Sequence, residues 1–335
     1  MDIQLLKNLG NLGQIAGIRE AELLKGREKG VRIAEFYNAA GLRFTVVPDR
    51  AMDLYDFSFR GINLSFQTKN GLTAPSFCLP GSGEFAESWP GGMMVTCGLD
   101  NVGGYCETGG NHPAHGRIGA IPALTGGTET VWEGDDYILR AFGETHQTRF
   151  YGMHLSLRRT IETGLWDKSV RIHDILQNHT EREEPYMLLY HFNFGYPLLK
   201  EGSRTAVSPS ASRTGCLAED WDRIPAPVDG KKEELRYSTG FGRTAAGVIW
   251  NEEMELGAYV RFDTETLPNL TEWKRAKAHD YVFALEPTNT VGLNRLKSDE
   301  EGLTARLAPY GQAETFLELG VLEGLGEIRE FVKNL

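Results

Sequence analysis

The sequence predicts an all-β protein of antiparallel strands, arranged as two packed sheets. Apolar residues alternate at period two in short runs. Gly, Pro and Asn separate those runs at short intervals. No long segment holds a 3.6-residue period. In chain order, Leu42–Val47 (LRFTVV) alternates and stops at Pro48. Residues 54–59 (LYDFSF) form the next strand and end at Arg60-Gly61. Residues 152–162 put Leu155, Leu157 and Ile161 on one face, and 169–177 continue the pattern after a turn at Thr163-Gly164-Leu165. Residues 186–194 are mostly apolar and read as a strand buried on both sides. Residues 246–262 read as a hairpin turning near Asn251-Glu252. Strands at 281–285 and 315–321 complete the set. The one helix-like stretch is 14–27, weakened by Gly17 and Gly26. Residues 200–232 are polar and strand-poor and read as an elaborated loop.

The chain has 335 residues, and no linker or internal repeat divides it, so a single domain over 1–335 is expected. A formal net charge of −11 with no Lys/Arg cluster argues against nucleic acid as a partner. No apolar run approaches the roughly 20 residues needed to cross a bilayer, so no membrane association is expected. The N-terminal MDIQLLKNLG lacks the basic-then-apolar order of a signal peptide. Cys78, Cys97, Cys106 and Cys216 show no C-x-x-C spacing and read as reduced thiols of a cytoplasmic protein. The N-x-S/T matches at Asn63, Asn178 and Asn269 then carry no glycan. A homodimer is left open.

Three separated segments carry the functional signal. They are HPAHGR at 112–117, YHFNFGYP at 190–197 and ALEPTN at 284–289. Two supply a histidine and the third a glutamate, each within or beside an apolar strand-like run. With ordinary pKa values of roughly 6.5 and 4.3, such groups divide acid and base duty near neutral pH. Two weaker patterns are set aside. Gly81-Ser82-Gly83 with Ala86 mimics a dinucleotide fingerprint but follows Pro80, with no clear strand before it and no crossover helix after it. His112 and His115 form H-x-x-H, which needs a helix to align both rings. Pro113 and Gly116 argue for a loop, so neither metal nor cofactor is expected.

The motifs resemble those of the aldose 1-epimerase (mutarotase) superfamily, in order and spacing over nearly the whole chain. His115-Gly116 is similar to that family's first histidine. His191-Phe192-Asn193-Phe194 is similar to its aromatic-rich second histidine strand, and Glu286-Pro287 to its late glutamate. A divergent aldose 1-epimerase-like branch adds Pro48-Asp49-Arg50 followed by Met52-Asp53, Cys97-Gly98-Leu99 and His115-Gly116-Arg117. The galactose-type NHxYFNL stands here as YHFNFGY, and the glucose-6-phosphate epimerase-type HGFAR as HGRIG. The resemblance implies a galactose mutarotase-like β-sandwich acting on a small-molecule carbohydrate without a cofactor.

Hemiacetal chemistry leads to the same roles. Exchanging anomers takes a proton from the anomeric hydroxyl and delivers one to the ring oxygen. Glu286 is expected as the base and His191 as the acid, on opposite sides of the sugar. That assignment puts Glu286 on the acidic limb of the pH profile and His191 on the basic limb. The plain alternatives are a satisfied core histidine and a surface strand end. His115 is expected to bind a hydroxyl or the ring oxygen, and His112 and Asn193 are expected to bind substrate beside it. Arg50 and Arg117 are expected to bind substituents, or else to pair with a carboxylate such as Asp53 or Asp100. Trp273 and Lys274 are placed in a polar loop, where the indole can stack on a sugar face and the amine can bind a hydroxyl or an acid group. The same cleft also suits epimerisation of a keto sugar or uronate, or carbohydrate binding without turnover.

Overall fold

Period-two burial is the rule that builds this molecule. In the strand Ser169–Asn178 alternate residues, Val170, Ile172, Asp174 and Leu176, are buried. The structure is a computed structural model that describes residues 7–78 and 85–335. Its strands are β1 (Gly17–Glu22), β2 (Arg32–Tyr37), β3 (Leu42–Val47), β4 (Asp53–Phe59), β5 (Ile62–Asn63), β6 (Met94–Leu99), β7 (Cys106–Glu107), β8 (Asn111–His112), β9 (Thr125–Glu133), β10 (Asp136–Thr148), β11 (His154–Gly164), β12 (Ser169–Asn178), β13 (Glu184–Phe194), β14 (Arg204–Val207), β15 (Ser212–Gly215), β16 (Glu234–Thr239), β17 (Thr244–Asn251), β18 (Leu256–Asp263), β19 (Asn269–Lys277), β20 (Asp280–Thr288), β21 (Ala305–Leu307) and β22 (Gln312–Glu323). Short helices α1 (Phe85–Ser88), α2 (Arg295–Glu300) and α3 (Leu325–Lys333) decorate them.

The first large sheet runs β1-β2-β3-β4-β6-β13-β20-β19-β16-β15, with β5 on β4 and β21 on β13. The second runs β14-β17-β18-β22-β12-β11-β10-β9. Every ladder between strands is antiparallel. The core between the sheets interleaves Phe36, Phe44, Phe57, Phe192 and Phe283 with Leu157, Ile161, Ile172, Val260 and Leu319. This is an all-β sandwich of two antiparallel sheets, as the sequence predicts.

The core also holds a charge. Arg159 of β11 is fully buried. It donates to both oxygens of Asp174, to the Ala51 carbonyl at 3.0 Å and to Asp53 at 3.2 Å. The Tyr190 hydroxyl closes the network on Asp174 at 2.6 Å. Asp53 and Tyr190 belong to the first sheet, Arg159 and Asp174 to the second, so the network joins the sheets through hydrogen bonds as well as apolar contact.

Two expectations need correction. Residues 14–27 are not a helix. They hold strand β1 between single 3-10 turns at Leu12–Gln14 and Gly26–Glu28, because pairing of β1 with β2 along its length outweighs a weak helical propensity. Residues 200–232 are mostly loop but contribute the short strands β14 and β15. The Gly81-Ser82-Gly83 pattern lies outside the described residues.

Candidate active site

Strand β13 is buried on both faces, as its apolar run predicts. Tyr190 turns into the core, so alternation turns His191 to the outer face of the first sheet. The register that pairs Leu189 with Thr288 and Phe192 with Leu285 places His191 directly opposite Glu286 on β20. Directly opposed residues have Cβ atoms roughly 5 Å apart, close enough for the two side chains to touch. His191 Nε2 lies 3.2 Å from Glu286 Oε1, and both residues are buried.

Loops and neighbouring strands wall a cavity of ≈ 410 Å³ over this pair. Trp89, Phe85, His115, Trp273, Tyr237 and Glu233 are among the residues that line it. The ring of His191 meets Trp89 at 5.4 Å and Trp273 edge-on at 5.4 Å. His115 stacks on Phe85 at 4.9 Å and stands 5.9 Å from His191. Three buried ring nitrogens, His191 Nδ1, His115 Nδ1 and Trp89 Nε1, have no hydrogen-bond partner among the described residues. Buried polar groups are ordinarily paired, so such a concentration marks a place prepared for something else.

Burial also sets the charges. It pushes Glu286 up to about 8, with the negative Glu233 adding to the effect. It pushes His191 down to about 3, with His115 adding to it, and His115 itself down to about 4. Near neutral pH the pair therefore holds one transferable proton, resting on the carboxyl.

The backbone that presents His115 explains two sequence motifs at once. Gly98 N donates to the His115 carbonyl at 2.9 Å, and Arg117 N donates to the Gly98 carbonyl at 2.8 Å. At Gly116, with φ +73°, a Cβ would stand 2.0 Å from the Gly98 carbonyl oxygen. At Gly98, with φ +132°, it would stand 2.2 Å from that of Met187. Only glycine fits at either crossing. His115 itself sits in the left-handed region at φ +56°, where a bulky residue is strained.

The remaining expected site residues divide. Trp273 lines the cavity, but on strand β19 rather than in a loop, and its indole nitrogen donates to Glu233 at 3.1 Å. Lys274, the next residue on that strand, faces away. Its amine donates to the carbonyls of Trp221 at 2.5 Å and Arg223 at 2.9 Å. Arg117 is held by Asp100 and the Asn111 carbonyl. His112 contacts Asp100 at 3.4 Å and the Thr108 carbonyl at 2.9 Å. Arg50 donates to the Thr73 carbonyl and to Cys78 Sγ, both at 3.0 Å, in a small recess behind Trp89 and His115. Asn193 is fully buried and donates to the Gly92 and His191 carbonyls. These five groups brace the site; their side chains do not line the cavity. Trp89, Phe85, Glu233 and Tyr237 do line it and carry no motif; Trp89 sits in a Trp-Pro-Gly-Gly turn that hints at a loop only.

The chain belongs to the family described as "Domain of unknown function (DUF4432)", whose model matches residues 28–321. No curated protein matches it. Among solved structures, one named a "putative aldose 1-epimerase" from Klebsiella pneumoniae subsp. pneumoniae MGH 78578 is 23% identical. It covers 95% of this chain and 86% of its own, at TM-score 0.89. A "galactose mutarotase-like protein" from Clostridium acetobutylicum is 13% identical over 92% of this chain and 99% of its own, at TM-score 0.61. Another of that description from Lactobacillus casei ATCC 334 is 12% identical over 91% of this chain and all of its own, at TM-score 0.55. The DUF4432 chain thus shares its fold with mutarotase-like proteins.

Proposed function

We propose that this DUF4432 protein is a cofactor-free aldose 1-epimerase acting on an uncharged sugar. The observation that carries the reading is the 3.2 Å contact between His191 Nε2 and Glu286 Oε1 on the floor of the aromatic-walled cavity. The anomeric hydroxyl and the ring oxygen hang on the same carbon, so a base and an acid that touch each other can serve both. Opposite sides of the sugar, as the sequence reading had it, are not required.

The resting proton also exchanges the two roles. Neutral His191 takes the proton of the anomeric hydroxyl while the Glu286 carboxyl protonates the ring oxygen. The bond from the anomeric carbon to the ring oxygen breaks and the carbonyl forms. After rotation, the ring oxygen attacks the other face of the carbonyl. Glu286, now a carboxylate, recovers its proton from that oxygen, and the imidazolium returns one to the carbonyl oxygen. Each group acts once as acid and once as base, and the protons balance. Each positioned transfer contributes typically 10²–10⁴-fold. Trp273 and Trp89 offer apolar faces to a pyranose ring.

The charge of the cavity supports a neutral substrate. Among the described residues no Lys or Arg lines it, while Glu233 and Glu286 do. Arg275 is engaged by Glu233, and Arg117 by Asp100. A phosphate or uronate would find no cation to offset its desolvation.

The test is NMR anomer exchange over a panel of neutral aldoses, uronates and sugar phosphates. Faster exchange is expected for at least one neutral aldose, with sugar phosphates unaffected. Binding without exchange would mark a carbohydrate-binding protein. Deuterium uptake at carbon on a keto sugar or uronate would mark a different isomerase. Either outcome overturns the proposal.

A further inference from the structure

Among the described residues, three histidines far apart in the sequence converge on the outer face of the second sheet. This is the side of the sandwich opposite the cavity. His146 lies on β10, His154 opens β11, and His179 follows β12. The ladders place them. Thr148 pairs with His154, His146 pairs with Ser156, and His179 N donates to the His154 carbonyl at 2.9 Å. Leu155 and Leu157 face the core, so their alternate neighbours His154 and Ser156 face outward.

One nitrogen from each ring can be chosen so that the three lie within 4.8 Å of one another. His146 Nδ1 and His154 Nε2 are 2.9 Å apart, and the His154 and His179 rings are centred 4.5 Å apart. Two nitrogens in such contact cannot both carry hydrogen, so a lone pair points into the cluster. Glu144, two residues before His146 on the same face, stands 3.3 Å from His146 Nε2. A proton held there by the carboxylate leaves the Nδ1 lone pair turned toward His154, the carboxylate–histidine arrangement that orients metal ligands. On the other flank, Ser156 Oγ lies 2.8 Å from His179 Nε2. Metal binds the neutral form of imidazole, whose free lone pair is what the contact between His146 and His154 turns into the cluster.

We infer that His146, His154 and His179 form a binding site for a divalent transition ion of the zinc class. Two imidazole nitrogens on one zinc stand roughly 3.3 Å apart when each Zn–N bond is about 2.0–2.1 Å. The 2.9 Å contact opens to that distance by a small rotation of either ring. Neutral imidazole suits zinc, nickel and copper; magnesium and calcium prefer oxygen ligands and are excluded. The half-buried rings leave one side toward solvent, so the fourth position is open to water. The ion would clip three adjacent strands together, independent of any sugar chemistry.

The test uses the full chain without an affinity tag, treated with chelator and then titrated with ZnCl2 by calorimetry and CoCl2 by visible absorption. One equivalent of zinc, a tetrahedral cobalt band and a rise in Tm with zinc are expected. His154→Gln and His179→Gln should each abolish all three while far-UV circular dichroism is unchanged. His173→Gln is the control, because that half-buried imidazole pairs with Glu314 at 2.6 Å on the same sheet, apart from the cluster. Binding that survives in both His154→Gln and His179→Gln, or no saturable binding in the wild type, overturns the site. MgCl2 should give no heat, and binding of magnesium would overturn the assignment of ion class.

Discussion

Tyr190 and His191 are neighbours on one strand and belong to opposite kinds of chemistry. Tyr190 turns inward to a buried ionic network, where its hydroxyl meets Asp174 at 2.6 Å and Arg159 reaches Asp174, Asp53 and the Ala51 carbonyl. His191 turns outward to a buried site where its own Nδ1, that of His115 and the Trp89 indole nitrogen have no partner among the described residues. Burial is complete on both sides, so burial alone does not separate structure from function. Satisfaction does. The inner network uses nearly all of its hydrogen-bonding capacity, Asp53 Oδ2 being the exception. The outer site holds capacity in reserve.

The comparison breaks first at the pair. His191→Asn or Glu286→Gln keeps size and most hydrogen bonding but removes proton transfer. Each should lower turnover of a converted sugar by roughly 10²–10⁴-fold with a smaller change in affinity, and the double variant should lose less than the sum. In the wild type, kcat/KM should fall as pH rises through about 8, where Glu286 loses its proton. Single variants with near-wild-type turnover would place the chemistry elsewhere in the cavity.

The inner side should respond in stability. Arg159→Met leaves the Asp174 carboxylate buried without its cation and should cost about 3–5 kcal/mol in urea denaturation. Tyr190→Phe removes one bond to that carboxylate and should cost about 1–3 kcal/mol. Neither residue lines the cavity. A Tyr190→Phe variant that keeps its stability but loses turnover would mean that the network serves the reaction and not the fold.

The sequence exposed the outer site better than the inner network. Alternation and the aromatic run revealed β13, and the His and Glu motifs sit where two strands of one sheet meet. Period two says which face a residue takes, and chemistry says why a polar group there is unusual. Neighbouring side chains escaped the same reasoning. Lys274 and Trp273 are adjacent, and only membership of β19 sends one toward the cavity and the other to backbone carbonyls behind it. A polar strand such as 269–277 (NLTEWKRAK) reads as loop because its burial comes from tertiary covering, not from apolar residues. Arg50 and Arg117 read either as ligands for a substrate or as partners of a carboxylate such as Asp53 or Asp100; Arg117 meets Asp100, as that alternative has it, while Arg50 meets a carbonyl and a thiol set by long-range packing. The three outward histidines had no local spacing at all, since three strands had to pair before they met.

The smallest expected effect is also the sharpest, because one substitution moves function and stability in opposite directions. Burial lifts Glu286 to about 8, so the folded protein keeps a proton that the unfolded chain releases near the ordinary value of 4.5. A raised carboxyl contributes stability that is fully present below 4.5 and lost as pH climbs to about 8. His191 has the reverse slope. It is held down at about 3, so its contribution is present above the ordinary 6.5 and is lost as pH falls. In the wild type the two slopes offset each other between those values. Glu286→Gln removes the first and leaves the second. Each pH unit of unmatched proton binding is worth about 1.4 kcal/mol. The variant should therefore gain about 2 kcal/mol on the wild type between pH 5.5 and pH 7, read as a widening difference in urea midpoint at constant m. A difference that stays flat across that range would mean that Glu286 titrates as an ordinary carboxylate, and the resting proton would have to be assigned to His191 instead.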